Sequence, residues 1–202
     1  MVKLLLATTN RGKIREYRSL FNDLPFELIT PGDLHIHLDV QENRPSYEEN
    51  ASTKAKAYAR ASRLITLADD SGLEVDALEG EPGVRSARAA GEMATDKDRI
   101  EHLLARLKDV PWDRRTASFK CVIAIAVTEE ITELCHGNCR GFISLEPSGE
   151  SGFGYDPVFY LPEFDKTMAE LPLEVKNQIS HRGKAAKEAY RVLEKIAGEV
   201  KL

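Results

Sequence analysis

The sequence predicts an α/β fold, and three observations predict it. The continuous apolar run Lys3-Leu4-Leu5-Leu6-Ala7 reads as a central strand covered on both faces, and a helical pattern with Ile14, Tyr17, Leu20 and Phe21 on one side follows it. Ser46-Tyr47-Glu48-Glu49 reads as a capping box opening an Ala-rich helix from Tyr47 to Ser62, after which Leu64-Ile65-Thr66-Leu67-Ala68 reads as a short buried strand. Thr116 to Val127 and Ile131 to Cys139 read as two long strands joined by a tight Glu129-Glu130 turn. Strands and helices alternating in this way build a sheet with helices laid on it.

Composition narrows the function. The chain has 202 residues, 42% apolar and 30% charged, enough for one large domain or two small lobes of a soluble protein. A net charge of −5 argues against a nucleic-acid polymer as partner and leaves room for a small anion held by a few local cations. No apolar run reaches the roughly 18 to 20 residues that cross a bilayer, and the amino terminus opens as a strand rather than a signal peptide. Cys121, Cys135 and Cys139, an odd number in apolar surroundings, suit free thiols in a reducing cytoplasm. Cys135-His136-x-x-Cys139 offers three clustered ligands without a second pair, too few for a structural zinc site.

In chain order, the first polar loop is Thr8-Thr9-Asn10-Arg11-Gly12-Lys13, between the opening strand and its helix. Backbone N–H groups and the helix dipole point at whatever lies there, and Lys13 adds a full charge, so the loop suits an anion. The same residues also cap helices that bind nothing, and the loop lacks the Walker A pattern. Phe26 to Ile29 and Ile36 to Val40 read as short strands around Pro31-Gly32-Asp33, with His35 and His37 left on the far face and given no role. On the Ala-rich helix, Asn50 and Lys54 stand one turn apart and share a face, whereas Lys56 and Arg60 read as solvated surface.

Asp69-Asp70-Ser71-Gly72 is the stretch on which the chemistry centres. Adjacent carboxylates at the end of a buried strand imply a cation or a wet crevice, although the four residues also compose an ordinary polar turn. Glu79 to Arg88 follows as a shaped, Gly/Pro-rich loop, and Thr95 caps a helix with Ile100, Leu103, Leu104 and Leu107 on its apolar face. In Phe153-Gly154-Tyr155-Asp156, the aromatic rings offer flat faces for a base, and Gly152 and Gly154 allow close backbone approach. Lys176 to Lys184 precedes a closing helix carrying Ala185, Ala189, Val192, Leu193 and Ile196. Cations at that helix start, Arg182 and Lys184, oppose the dipole and suit an anionic or hydrogen-bond-accepting ligand.

Six of these segments, in order, resemble one family. Thr8-Thr9-Asn10-x-x-Lys13, Glu49-Asn50-x-x-x-Lys54, Ala68-Asp69-Asp70-Ser71-Gly72-Leu73, Pro82-Gly83-x-x-Ser86-Ala87-Arg88, Phe153-Gly154-Tyr155-Asp156-Pro157 and Ser180-His181-Arg182 together resemble the Ham1-like inosine/xanthosine triphosphate pyrophosphatases. The likeness spans one domain over nearly the whole of residues 1–202. It implies an elongated, two-lobed mixed-sheet α/β fold with the substrate cleft between the lobes, a homodimer, and Mg²⁺ as cofactor. It also implies hydrolysis of dITP, ITP or XTP to the monophosphate and pyrophosphate, which clears deaminated purines from the nucleotide pool.

By the same resemblance Asp70 is the catalytic base and a metal ligand, Lys54 assists catalysis, and Ser71 touches the substrate. Thr8, Thr9, Asn10, Arg11, Gly12, Lys13 and Lys176 bind phosphate and sugar, while Phe153, Gly154, Tyr155, Asp156, His181 and Arg182 line the base pocket. The family's second Mg²⁺ carboxylate lies in a Glu-Glu pair that here reads Gln41-Glu42, so Glu42 takes the role with Glu49 in reserve. Loss of one member of that pair is the feature that favours the alternative, a purine nucleotide-binding protein with a decayed site. Hypoxanthine and xanthine present a 6-oxo acceptor where adenine presents an amino donor. Donors around Ser180 to Arg182, including the Arg182 side chain, would therefore penalise adenine by about 1 to 3 kcal/mol per unsatisfied group.

Overall fold

A computed structural model describes residues 2–199. Along the chain run β1 (Val2–Leu6), α1 (Arg11–Leu20), β2 (Phe26–Ile29), α2 (Tyr47–Ser62), β3 (Ile65–Val75), β4 (Pro82–Gly83), α3 (Asp96–Arg106), β5 (Thr116–Val127), β6 (Glu130–Ile143), β7 (Phe159–Leu161), β8 (Lys166–Thr167), α4 (Leu173–Ile179) and α5 (His181–Glu199). The hydrogen-bonded strand order is β2-β1-β3-β5-β6-β7-β8, with β4 on β3, so the protein is a mixed α/β fold on an open sheet. Its residues fall into two compact units. Unit 1 is Met1–Asp70, Cys121–Gly137 and Arg182–Leu202; unit 2 is Ser71–Lys120 and Asn138–His181.

In unit 1, β1 pairs in parallel with β2 (Val2 opposite Phe26) and with β3 (Leu6 opposite Leu67). Leu4, Leu5 and Leu6 are all buried, as a two-faced central strand requires. Leu4 and Leu6 join Tyr17, Phe21, Leu67, Cys121, Ile123, Ile125, Ala185, Ala189 and Leu193 in one core, so α1 and α5 share one face. Each large apolar side chain buried there contributes about 1.5–3 kcal/mol. Helix α2 turns Ala51, Ala55 and Ala59 inward, small residues that let its backbone lie close to its neighbours.

In unit 2, β7 pairs antiparallel with β6 (Ile143 opposite Phe159) and β8 with β7. The core gathers Leu73, Val75, Ile100, Leu103, Leu107, Phe119, Ile143, Tyr155, Phe159, Leu161 and Met168. The capping box that starts α3 pairs Thr95 with Asp98.

Four local expectations need correction. Asp69, Asp70, Ser71 and Gly72 are not a turn but the middle of the eleven-residue strand β3. Neighbouring charges make that possible, as described below. Ile36 to Val40 forms no strand: the Asp33 carboxylate accepts the Thr30 N–H and hydroxyl, both at 2.8 Å, and His35 at φ +53° turns the chain away. Alternating Ile36, Leu38 and Val40 therefore meet no partner edge. Before the closing helix, Lys176 sits on a separate helix, α4, and the β5–β6 turn falls at Thr128-Glu129, both at positive φ.

Candidate functional site

In unit 1 the side chains of Asp69 and Asp70 point to opposite faces of β3, as successive strand residues must. On the α1 side, Asp69 Oδ2 lies 2.9 Å from Lys13 Nζ, 3.5 Å from Arg182 Nη2 and 3.9 Å from the Cys121 thiol. Arg182 Nη1 donates to Glu16 Oε2 at 2.7 Å, and the guanidinium lies over the Tyr17 ring. Helix α1 supplies three of these groups because Lys13, Glu16 and Tyr17 stand at i, i+3 and i+4 on one face. Asn10 fixes the start of that helix by accepting the Lys13 N–H at 3.1 Å.

Burial alone would raise the Asp69 carboxyl, but Lys13, Arg182 and Lys54 outweigh it and hold the acid far below its ordinary range. Burial likewise disfavours the charged guanidinium of Arg182, yet Glu16 and Asp69 keep it more firmly protonated than usual. The same environment pushes the Cys121 thiol up to about 12, through burial first and the Asp69 charge second. Asp69 is therefore a structural carboxylate, ionised throughout the ordinary pH range.

Asp70 differs. It is buried, its Oδ2 accepts from Asn50 Nδ2 at 2.8 Å, and Asn50 Oδ1 in turn accepts the Arg44 N–H at 3.0 Å. Burial and the nearby Glu42 charge raise its carboxyl, while Lys13, Asn50 and Lys54 pull it back only in part. One turn beyond Asn50 on α2, the Lys54 ammonium donates to the Asp69 carbonyl at 2.6 Å and to Glu42. Asp69 and Glu42 overcome its burial and hold it firmly charged. Gln41 is exposed and donates to Asp39, so of the Gln41-Glu42 pair only Glu42 joins the cluster.

Unit 2 carries a second polar group. The Asp156 carboxylate accepts the Phe153 N–H at 2.8 Å and pairs with Lys176, both charges almost fully buried. Lys176 Nζ also lies 5.1 Å from the centroid of the Phe153 ring. Gly152, at φ +78°, makes room for that carboxylate: a Cβ there would sit 2.1 Å from Asp156 Oδ2. Tyr155 belongs to the core and donates its hydroxyl to the Ser86 carbonyl at 3.1 Å. His181 stacks on Phe119, ring centroids 4.6 Å apart, and Ser71 is half-buried on β3.

Of the sequence-predicted residues, the structure brings together Lys13, Glu42, Lys54, Asp70 and Arg182 in unit 1, and Phe153, Asp156 and Lys176 in unit 2. Thr8, Thr9 and Asn10 form the β1–α1 turn and Arg11 and Gly12 begin α1, all half-buried or exposed, and Thr8 Oγ1 accepts the Asn10 N–H at 3.2 Å. The Arg182 guanidinium does not reach outward as the sequence suggested: it is buried against Glu16 and Asp69. Sequence reasoning missed Glu16 and gave Asp69 no role of its own. The signal for Glu16 was its place one turn after Lys13.

Two carboxylates near enough for one to raise the other, Asp70 and Glu42, fit a hard divalent cation, which takes one or two carboxylates plus phosphate oxygens and water. Among the described residues no three His, Cys, Asp or Glu side chains form a self-sufficient metal cage. Such an ion would complete its shell from substrate and solvent. With Lys13 and Lys54 beside a raised carboxyl, the arrangement can hold a polyanion and accept a proton next to it.

Comparison with known proteins identifies the family. A curated relative from Desulforamulus reducens, named dITP/XTP pyrophosphatase, is 47% identical over 96% of this chain and 97% of its own. One of the same name from Escherichia coli is 47% identical over 93% of this chain and 95% of its own. The structure of a HAM1 protein from Coxiella burnetii superposes with a TM-score of 0.87 at 41% identity, over 96% of this chain and all of that one. The Staphylococcus aureus Ham1 protein gives 0.84 at 43% identity, over 96% and 98%. The profile of the Ham1 family matches residues 4–192, and the chain belongs to that family.

Proposed function

We propose that the protein hydrolyses deaminated purine nucleoside triphosphates, dITP, ITP and XTP, to the monophosphate and pyrophosphate. The observation that carries this reading is Asp70: a raised carboxyl hydrogen-bonded to Asn50 and near enough to feel the charges of Lys13 and Lys54, which are held at the Asp69 carboxylate and the Asp69 carbonyl. Asp70 takes a proton from water as the water oxygen bonds to the α-phosphorus and the bond to pyrophosphate breaks. Lys13, Lys54 and Lys176 offset the charge that grows on the phosphate oxygens and the leaving group. Asp70 and Glu42 are the residues for Mg²⁺, which when bound neutralises the triphosphate and acidifies the attacking water.

The purine is assigned to Phe153, Gly154, Tyr155, Asp156 and His181 and to the backbone of Arg182, whose guanidinium is already engaged by Glu16 and Asp69. Thr8 to Gly12 and Ser71 take sugar and phosphate. The protein works as a homodimer in the cytoplasm, in keeping with Cys121, Cys135 and Cys139, which are buried and form no disulfide among the described residues.

Pyrophosphate release from ITP, XTP, dITP, ATP and GTP with Mg²⁺, comparing wild type with Asp70→Asn, tests the reading. It is upheld by turnover of the 6-oxo substrates ITP, XTP and dITP that vanishes in the variant and on chelation. Equal hydrolysis of ATP and ITP, or tight binding of Mg-ITP without turnover, would overturn it.

A further inference from the structure

Helix α3 starts at Asp96, but its capping is done by others: Asp98 Oδ2 accepts the Thr95 N–H at 2.7 Å, and Thr95 Oγ1 accepts the Asp98 N–H at 3.2 Å. An acidic first residue ordinarily needs no further account, since it faces the positive end of the helix dipole. Asp96 does more. Its Oδ2 accepts the Gly154 N–H at 2.7 Å, from 58 residues away, and its Oδ1 accepts from Arg99. Arg99 Nε in turn donates to the Ala87 carbonyl at 2.8 Å, while Tyr155 donates to the neighbouring Ser86 carbonyl. One helical turn thus fastens two loops, and those loops are also tied to each other.

Glycines at 152 and 154 both have positive φ, so the segment has little stiffness of its own and its shape must be imposed from outside. Two carboxylates impose it on consecutive amides: Asp156 on Phe153 and Asp96 on Gly154. Both bonds are charge-assisted. A Cβ at Gly154 would find nothing within 4 Å, so this side of the pinned loop, next in sequence to Phe153, faces open space. Asp96 itself keeps 46% of its side-chain exposure, which means the carboxylate is not there to satisfy a burial requirement.

We infer that Asp96 is a positioning residue for the purine: by fixing the Gly154 amide, with Arg99 bracing it, it sets the plane of Phe153 and so the affinity for the base. This rests on the assignment of Phe153 and Gly154 to the purine. The test is steady-state kinetics on ITP for Asp96→Ala, Asp96→Asn and Asp98→Ala, with amide hydrogen exchange on the same proteins without substrate. Asp96→Ala should raise KM about five- to tenfold with kcat within about twofold, and speed exchange across the 153–156 loop. Asp96→Asn keeps an acceptor oxygen and should recover most of that KM; should the alanine variant fold poorly, Asp96→Ser, too short to reach the Gly154 amide, carries the comparison with the same expected rise. Asp98→Ala should lower Tm through the lost cap and leave KM and loop exchange alone.

Unchanged KM and exchange in Asp96→Ala, or in Asp96→Ser where that variant stands in for it, or an equal rise in KM for Asp98→Ala, would overturn the inference. A wild-type protein inert towards ITP would instead overturn the functional reading, and the exchange comparison would still decide whether Asp96 sets the loop.

Discussion

Arg182 donates to Glu16 at 2.7 Å across 166 positions of sequence, and both side chains are almost wholly out of water. Removing one partner strands the other charge, which costs about 3–5 kcal/mol. Arg182→Ala should therefore lower stability by that amount in urea and Tm by roughly 10 °C, besides depressing ITP turnover. Lys56→Ala, on the exposed side of α2, should stay within about 0.5 kcal/mol and keep full activity. Similar melting of the two variants would show that the buried pair is dispensable.

Asp70→Asn should separate activity from stability. Losing a general base costs roughly 10²–10⁴-fold in kcat. The fold loses nothing comparable, because burial already disfavours the ionised carboxylate at this position. Unchanged or slightly higher Tm alongside lost turnover is the expected result, read by calorimetry and pyrophosphate release on the same preparation.

Asp69 predicts the opposite behaviour with pH. Its carboxyl is lowered from the ordinary 3.8 on folding, so its contribution is fully present above that value and is lost as pH falls towards the folded-state value. Asp69→Asn should be markedly less stable than wild type at neutral pH. The gap measured in urea should narrow as the pH drops below the ordinary carboxylate value. A gap that stays constant through that range would mean Asp69 is not ionised in the native protein.

Gly152→Ala combines a left-handed backbone with a Cβ placed 2.1 Å from Asp156 Oδ2. Either the carboxylate or the loop must move, and the Asp156–Lys176 pair is disturbed in both cases. A loss of at least about 2 kcal/mol in urea is expected, with faster proteolysis of the loop. Gly154→Ala, at similar φ but with open space around it, should cost only the backbone strain, about 1 kcal/mol.

Elements with strong periodicity were legible from sequence. The boundaries Tyr47 to Ser62 and Thr116 to Val127 match the structure because capping residues and unbroken apolar patterns mark them locally. What could not be read was anything settled by distant charges. Asp69-Asp70-Ser71-Gly72 has turn composition, yet Lys13 and Arg182, far off in sequence, make it a strand. Ile36 to Val40 fails the other way, with strand composition and no edge to join. Within the candidate site, Lys13, Lys54 and Asp70 were visible as motif residues, whereas Glu16 was hidden as one acidic residue among many on a charged helix. Arg182 was correctly marked as an oddly placed cation; its partners turned out to be internal carboxylates.

The pleat of β3 acts as a partition. Two acids joined by a single peptide bond are held in different electrical surroundings, one kept permanently charged for the sake of the architecture, the other left reluctant to ionise and so ready to take up hydrogen ions. Any change that slides this strand by one place moves one acid into the other's surroundings. A single-residue insertion just upstream, even far from the polar loops, would put the scaffold's acid where the proposed base belongs and Ala68 where the scaffold's acid stood, while leaving every side chain of the motif in its composition.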